Sequence, residues 1–219
     1  MARKVQQRQA KKAIYVFWEG ESEEAYSKAL KSIFSNQAAI KPHREKGTFD
    51  TAKAFYRGNR AFQNSMPEFD ELWFFFDTEI SKAVQWEKNM KCLKDIIASR
   101  RKNPIKIRLL MSTGCIEYWF LLHYERVRPA IANPAEKERV MKDVQRHVPA
   151  YEKGNQKTTE EIAQHYPTAV ENGRWTLECL KREGMPEGEE RDQWLFQGNH
   201  TFTTVHEAIE MLVSLQVVR

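Results

Sequence analysis

The sequence predicts an α/β fold, a parallel sheet flanked by helices and followed by an α-helical C-terminal extension. Three observations predict it. Short apolar runs recur at Ala13–Trp18, Leu72–Phe76 and Ile105–Met111; helix-spaced apolar residues lie between them; beyond Ser112 the texture changes to helices and loops. Strand and helix in alternation give a parallel sheet, because parallel strands need long crossovers.

The elements follow in order. Residues 1–12 carry Arg3, Lys4, Arg8, Lys11 and Lys12 without an acid, and read as a basic flexible tail. Ala13–Trp18 and Leu72–Phe76 are continuous and aromatic-rich, the pattern of strands buried on both faces. Ile105–Met111 alternates at first, as a strand nearer a sheet edge does. Ala25, Tyr26, Ala29, Leu30, Ile33 and Phe34 repeat on one helix face after Gly20. Ala54, Phe55, Gly58, Ala61 and Phe62 repeat that pattern more weakly, and a third helix is expected over 83–101, ahead of Asn103-Pro104. The polar stretch Lys41–Thr51 is a place for one more strand.

In the extension, helices are expected at Gly114–Glu125, Ala135–His147 and Thr158–Lys181, the last interrupted at Pro167. Tyr151–Thr159 and Glu183–Asp192 read as loops. Thr204-Val-His-Glu207 has capping-box spacing ahead of Ala208, Ile209, Leu212 and Val213. The organisation is a tail over 1–12, an α/β core over 13–125 and a helical extension over 126–219 packed on that core.

Composition narrows the class. With 219 residues, 41% hydrophobic and 30% charged, the chain is long enough for one well-buried domain and is neither fibrous nor disordered. Its net charge of +5 comes from 35 Lys+Arg against 30 Asp+Glu, and the tail holds the whole excess. The basic balance is therefore poor support for a nucleic-acid face on the fold itself. Cys92, Cys115 and Cys179 are scattered without C-x-x-C pairing, which argues against zinc ribbons and disulfide frameworks. No run approaches the roughly 20 apolar residues of a membrane span, so a cytoplasmic location without membrane contact is expected.

Function should sit where acids meet strand ends, since open α/β sheets place their sites beyond the carboxyl ends of the strands. The first strand runs into Glu19-Gly-Glu-Ser-Glu-Glu24 and the second ends Phe76-Asp77-Thr78-Glu79. Side chains alternate along a strand, so Asp77 and Glu79 can share one cation while Thr78 points away. Glu19 joins them if the two strands are neighbours. Crowded carboxylates repel unless a cation neutralises them, and hard oxygen donors suit Mg²⁺ or Mn²⁺. The plainer alternative is that Glu21, Ser22 and Glu23 simply supply the negative charge a helix start favours.

The ordered set of motifs resembles the Toprim fold, and more closely the RloB family linked to restriction-modification and anticodon-nuclease loci. The family pattern E-G-x-[TS]-E-x-x-Y is matched by Glu19-Gly20-Glu21-Ser22-Glu23-Glu24-Ala25-Tyr26. The F-D-x-D strand end is Phe76–Glu79, with Glu79 in place of aspartate. The stretch S-N-P-C-F-E-x-W-L-L-L-H is Ser112–His123, with Thr113-Gly114 for Asn-Pro, and Y-x-K-G is Tyr151–Gly154. The match runs in order over about residues 13–213.

The resemblance implies a Toprim-like sheet and a Mg²⁺-dependent nuclease cleaving DNA or RNA in anti-phage defence of the abortive-infection kind, beside an AAA-family ATPase partner. It implies Glu19 as metal ligand or general acid/base, and Asp77 with Glu79 as metal ligands. Glu23 is a second ligand or a helix-start charge. Glu117 is a second-metal ligand, or else a cap or salt-bridge partner. Lys153 is a catalytic cation for a phosphoryl transition state or a solvated loop lysine. From the residues themselves, Arg100, Arg101, Lys102, Lys106 and Arg108 form a basic cluster that touches a phosphate backbone or forms a solvated face. His123 reads as a hydrogen-bonded core histidine and Cys115 as packing. The rival function is a non-catalytic Toprim-like subunit that binds its ATPase partner or nucleic acid, and self-association is open. Phosphohydrolase chemistry is disfavoured, since no Gly-rich phosphate loop occurs.

Overall fold

The computed structural model describes residues 11–58, 69–99 and 105–215. Most of the basic tail, Ala61 and Phe62 of the second helix, and Arg100, Arg101 and Lys102 lie outside the described residues. The core elements are β1 (Lys12–Trp18), α1 (Glu21–Ile33), β2 (Ala38–Pro42), α2 (Phe49–Gly58), β3 (Glu71–Thr78), a 3₁₀ turn (Ile80–Gln85), α3 (Trp86–Ser99) and β4 (Lys106–Thr113). All strand pairs are parallel, in the order β2-β1-β3-β4. Val16 pairs with Trp73 and Phe75 with Leu110, which places apolar side chains in register across β1–β3 and β3–β4.

Alternation along β1 and β3 splits the apolar residues between two faces. Ile14, Val16, Trp73 and Phe75 face a cluster with Tyr26, Ala29 and Leu30 of α1. Tyr15, Phe17, Leu72, Phe74 and Phe76 face Phe49, Ala52 and Tyr56 of α2 and Leu93 and Ile96 of α3. The sheet is thus covered on both sides, as parallel sheets are.

Beyond β4 come α4 (Glu117–Leu121), α5 (Pro134–His147), α6 (Gln156–Ala163), α7 (Tyr166–Arg182), α8 (Glu190–Gln197) and α9 (Val205–Ser214). They complete both clusters. Val144, Ile162 and Ile209 join the α1 side, while Leu177, Phe196 and Phe202 join the α2–α3 side. The free edge of β4 is covered too: Ser112 bridges antiparallel to Thr203, and Thr113 N–H donates to the Phe202 carbonyl at 3.1 Å. Covering an edge strand in this way removes a template for wrong pairing.

Several expectations shift. The extra strand lies at Ala38–Pro42, earlier than Lys41–Thr51, because Ala38 and Ile40 are the residues that alternate into the core. Of that polar stretch, only Lys41 and Pro42 belong to the strand; residues 43–48 form a loop, tied back by a bridge from Gly47 to Trp18, and α2 begins at Phe49. The interruption expected at Pro167 is present: the helical stretch divides into α6 and α7 at residues 164–165, and Pro167 sits in the first turn of α7, where its missing N–H costs nothing. The C-terminal capping box does not form. Thr204 Oγ1 donates to the Leu109 carbonyl at 2.7 Å and accepts from Met111 N–H at 2.9 Å, and Glu207 pairs with Arg191. Those two bonds hold α9 against β4, a long-range use of a residue whose local spacing suggested a cap. The α-helix expected over Gly114–Glu125 shrinks to Glu117–Leu121, after a turn at Gly114 with φ +74°.

Candidate active site

β1 and β3 are neighbours, so their carboxyl ends bring Glu19 and Asp77 together. Glu19 Oε2 accepts the Asp77 backbone N–H at 3.2 Å, and its Oε1 accepts from Lys82 Nζ at 2.7 Å. Asp77 Oδ1 is sealed from solvent and has no hydrogen-bond partner. Burial pushes the Asp77 carboxyl well above its usual range, and the charges of Glu23, Glu19 and Glu117 push it further.

Glu23 and Glu117 approach from the α1 side. Glu23 is only 4% exposed in the first turn of α1; burial, then the charges of Glu117 and Glu19, raise its pKa to about 7. Gly20 makes this position available: a Cβ there would stand 2.7 Å from Glu23 Oε2. Glu117 opens α4 and is 2% exposed. Its Oε1 accepts from Ser22 Oγ at 3.0 Å and from Tyr151 Oη at 2.9 Å.

The Tyr151–Gly154 loop closes this side. Lys153 Nζ lies 3.6 Å from Glu117 Oε2, and Gly154 N–H donates to Ser22 Oγ at 3.3 Å. Gly154 has φ +73°, and a Cβ on it would press within 2.9 Å of Glu21 Cβ, so only glycine suits this approach. Burial opposes the Lys153 charge, yet Glu117, with Cys115 and Asp77 behind it, raises its pKa and keeps the ammonium charged. Three motifs far apart in sequence therefore lock together through Ser22, Glu117 and Tyr151.

Glu79 goes elsewhere. The backbone stays extended through it, but the carboxylate accepts from Lys137 Nζ at 2.6 Å and Ser81 Oγ at 3.1 Å. The Lys137 hydrogen bond holds its pKa below the usual value against partial burial. His123 behaves as a core residue: Nδ1–H donates to the Trp119 carbonyl at 2.9 Å, and Nε2 accepts from Tyr26 Oη at 3.1 Å. Burial lowers its pKa to about 3, so it is neutral. Cys115 is buried and its thiol pKa is pushed up by that burial, which suits packing rather than a nucleophile.

The four carboxylates Glu19, Glu23, Asp77 and Glu117 fit a hard divalent ion in two respects. They offer oxygen donors, and one donor is sealed and unpartnered while like charges crowd it. As they stand, no three His, Cys, Asp or Glu side chains among the described residues form a ready ligand set. Lys82 already holds one oxygen of Glu19. Sequence reasoning missed Lys82, which lies in a 3₁₀ turn with no periodic pattern, and the anchoring roles of Ser22 and Tyr151, although both stand in the quoted motifs.

Fold and site together define an α/β protein with a Toprim-like parallel sheet whose acids gather at the carboxyl ends of two adjacent strands. The chain belongs to the RloB-like protein family, whose family model matches residues 14–212. No curated protein and no solved structure gives a match. Among the described residues, no helix is long and apolar enough to cross a membrane.

Proposed function

We propose that the protein is a Toprim-type nuclease dependent on Mg²⁺ or Mn²⁺, cleaving DNA or RNA phosphodiesters in the cytoplasm during anti-phage defence with an AAA-family ATPase. The observation that carries the reading is the buried, unpartnered Asp77 oxygen crowded by Glu19, Glu23 and Glu117. A fold that crowds like charges around a sealed carboxyl oxygen with no hydrogen-bond donor destabilises itself, and such sites are functional candidates.

Asp77 and Glu19 would hold the ion, with Glu23 and Glu117 as further ligands. The chemistry such an ion supplies when bound is polarisation of a phosphate oxygen and a lowered pKa for water. Glu117 orients Lys153, whose ammonium offsets charge that builds on the phosphoryl group. Ser22 and Tyr151 keep Glu117 in place as the cation and substrate come and go. Glu79 keeps its charge on Lys137 and supports the strand end from outside.

The test is incubation of purified protein with supercoiled plasmid and with tRNA, in Mg²⁺ or Mn²⁺, with and without the ATPase. Cleavage is expected and should vanish in Glu19→Gln and Asp77→Asn variants that still fold. Full cleavage by both variants would remove the proposed site. One observation favours the non-catalytic rival: lysines already neutralise Glu19 and Glu79. Binding without cleavage under every condition would support that rival.

A further inference from the structure

On the α2–α3 side of the strand ends lies a cleft of about 270 Å³ with Glu19 and Asp77 among its lining residues. Lys82, Gln85 and Lys88 also line it, all from the 3₁₀ turn and the start of α3. The cleft thus combines strand-end carboxylates with nitrogen donors from one continuous segment. Lys82 makes its short ion pair to Glu19 with only 27% of its side chain exposed. Lys88 pairs with Asp50 of α2 at 2.7 Å, and both side chains are about two-thirds exposed, at 65% and 69%. Such an exposed pair yields easily to an incoming ligand.

We propose that this cleft receives the phosphate backbone of the substrate strand, with Lys82 as its cationic anchor, released from Glu19 when that carboxylate turns to a divalent ion. The inference rests on the metal-dependent nuclease reading and adds the direction of substrate entry and the residue that grips it. Without a divalent ion, Glu19 and Asp77 repel phosphate and Glu19 occupies Lys82. With the ion in place, the carboxylate charge is neutralised and the ammonium needs a new anion. A lysine suits this exchange, because its flexible stem carries a point charge with three donors. Ion and substrate then favour each other's binding, and thermodynamic linkage makes the coupling reciprocal. Lys153 flanks the same carboxylates from the opposite face, so the two lysines have separate tasks.

The test compares wild type with Lys82→Gln in binding a labelled single-stranded oligonucleotide across a salt series, once in EDTA and once in Ca²⁺. In Ca²⁺ the variant should bind about tenfold more weakly, with a log–log salt slope shallower by about 0.7, one phosphate contact on a single strand. In EDTA the two proteins should match. Calorimetric Mn²⁺ titration should show the variant binding about fivefold more tightly, since a competing cation is gone. Equal slopes in Ca²⁺, or an equally large difference in EDTA, would overturn the Lys82 assignment. Wild type that takes up no Mn²⁺ would end the nuclease reading and this inference with it. Wild type that takes up Mn²⁺ but matches the variant in every slope would end the inference alone.

Discussion

Glu71 and Asp77 stand at opposite ends of β3, and the fold treats them oppositely. Glu71 is fully buried at the amino end. Its carboxylate accepts from Arg108 Nε at 2.6 Å, Lys12 Nζ at 2.7 Å and Trp73 Nε1 at 2.9 Å. Burial alone would raise its pKa, but the hydrogen bonds from Arg108, Lys12 and Trp73 outweigh it and hold the value below normal. Asp77 meets three other carboxylates and keeps one oxygen without a partner. The carboxylate at one end is fully compensated by its neighbours, whereas the carboxyl at the other is left open, as the proposed metal site requires. The contrast distinguishes structure from function on a single strand.

The largest expected effect bears on the open end. Asp77→Asn should lower cleavage by about 1,000-fold or more, roughly 4 kcal/mol, while thermal unfolding stays level or improves. A variant that loses activity only because it unfolds would erase the difference between the two ends.

At the compensated end, Arg108→Met should destabilise by about 3 kcal/mol, because it strands a buried carboxylate. Urea unfolding measures this. A loss under about 1 kcal/mol would mean that Lys12 and Trp73 suffice and that the two ends differ less than the geometry indicates.

The pH response should also have opposite signs. Glu71, with its depressed pKa, contributes stability present above its unfolded pKa and lost as pH falls through the folded value. Glu23, raised to about 7, contributes stability that is complete below about 4.5 and lost as pH rises toward 7. In metal-free buffer, wild type should therefore lose about 2–3 kcal/mol from Glu23 between pH 5 and pH 8. Glu23→Gln should flatten that slope, and Mn²⁺ should restore the stability of wild type at pH 8. A rising stability over the same interval would contradict the assignment.

The smallest effect belongs to Glu79. Its pair with Lys137 is about one-third exposed on both sides, so Lys137→Ala should cost less than about 1 kcal/mol. A large loss of cleavage in that variant would show that Glu79 belongs to the centre after all.

Much of this was legible in the sequence, for physical reasons that differ by region. The apolar runs of β1 and β3 announced buried parallel strands, but their adjacency was only a condition for Glu19 to join Asp77 and is supplied by the pairing of the two strands. The ordered motifs pointed to Glu19, Glu23, Asp77 and Glu117, and Gly20 and Gly154 gain their reason from close approaches that a Cβ would block. The rest depended on contacts between distant segments. Nothing local tells that Thr204 anchors to β4 rather than capping α9, that Lys82 reaches Glu19, or that Glu79 turns to Lys137. The shift of β2 to Ala38–Pro42 had a different cause, since two alternating apolar residues are too faint a signal to outrank a longer polar stretch.

The most direct measurement is isothermal titration of Mn²⁺ into the metal-free protein and into its Asp77→Asn variant at pH 8. Wild type should show saturable binding, and the variant should give no comparable heat. Equal heats from the two proteins would contradict it.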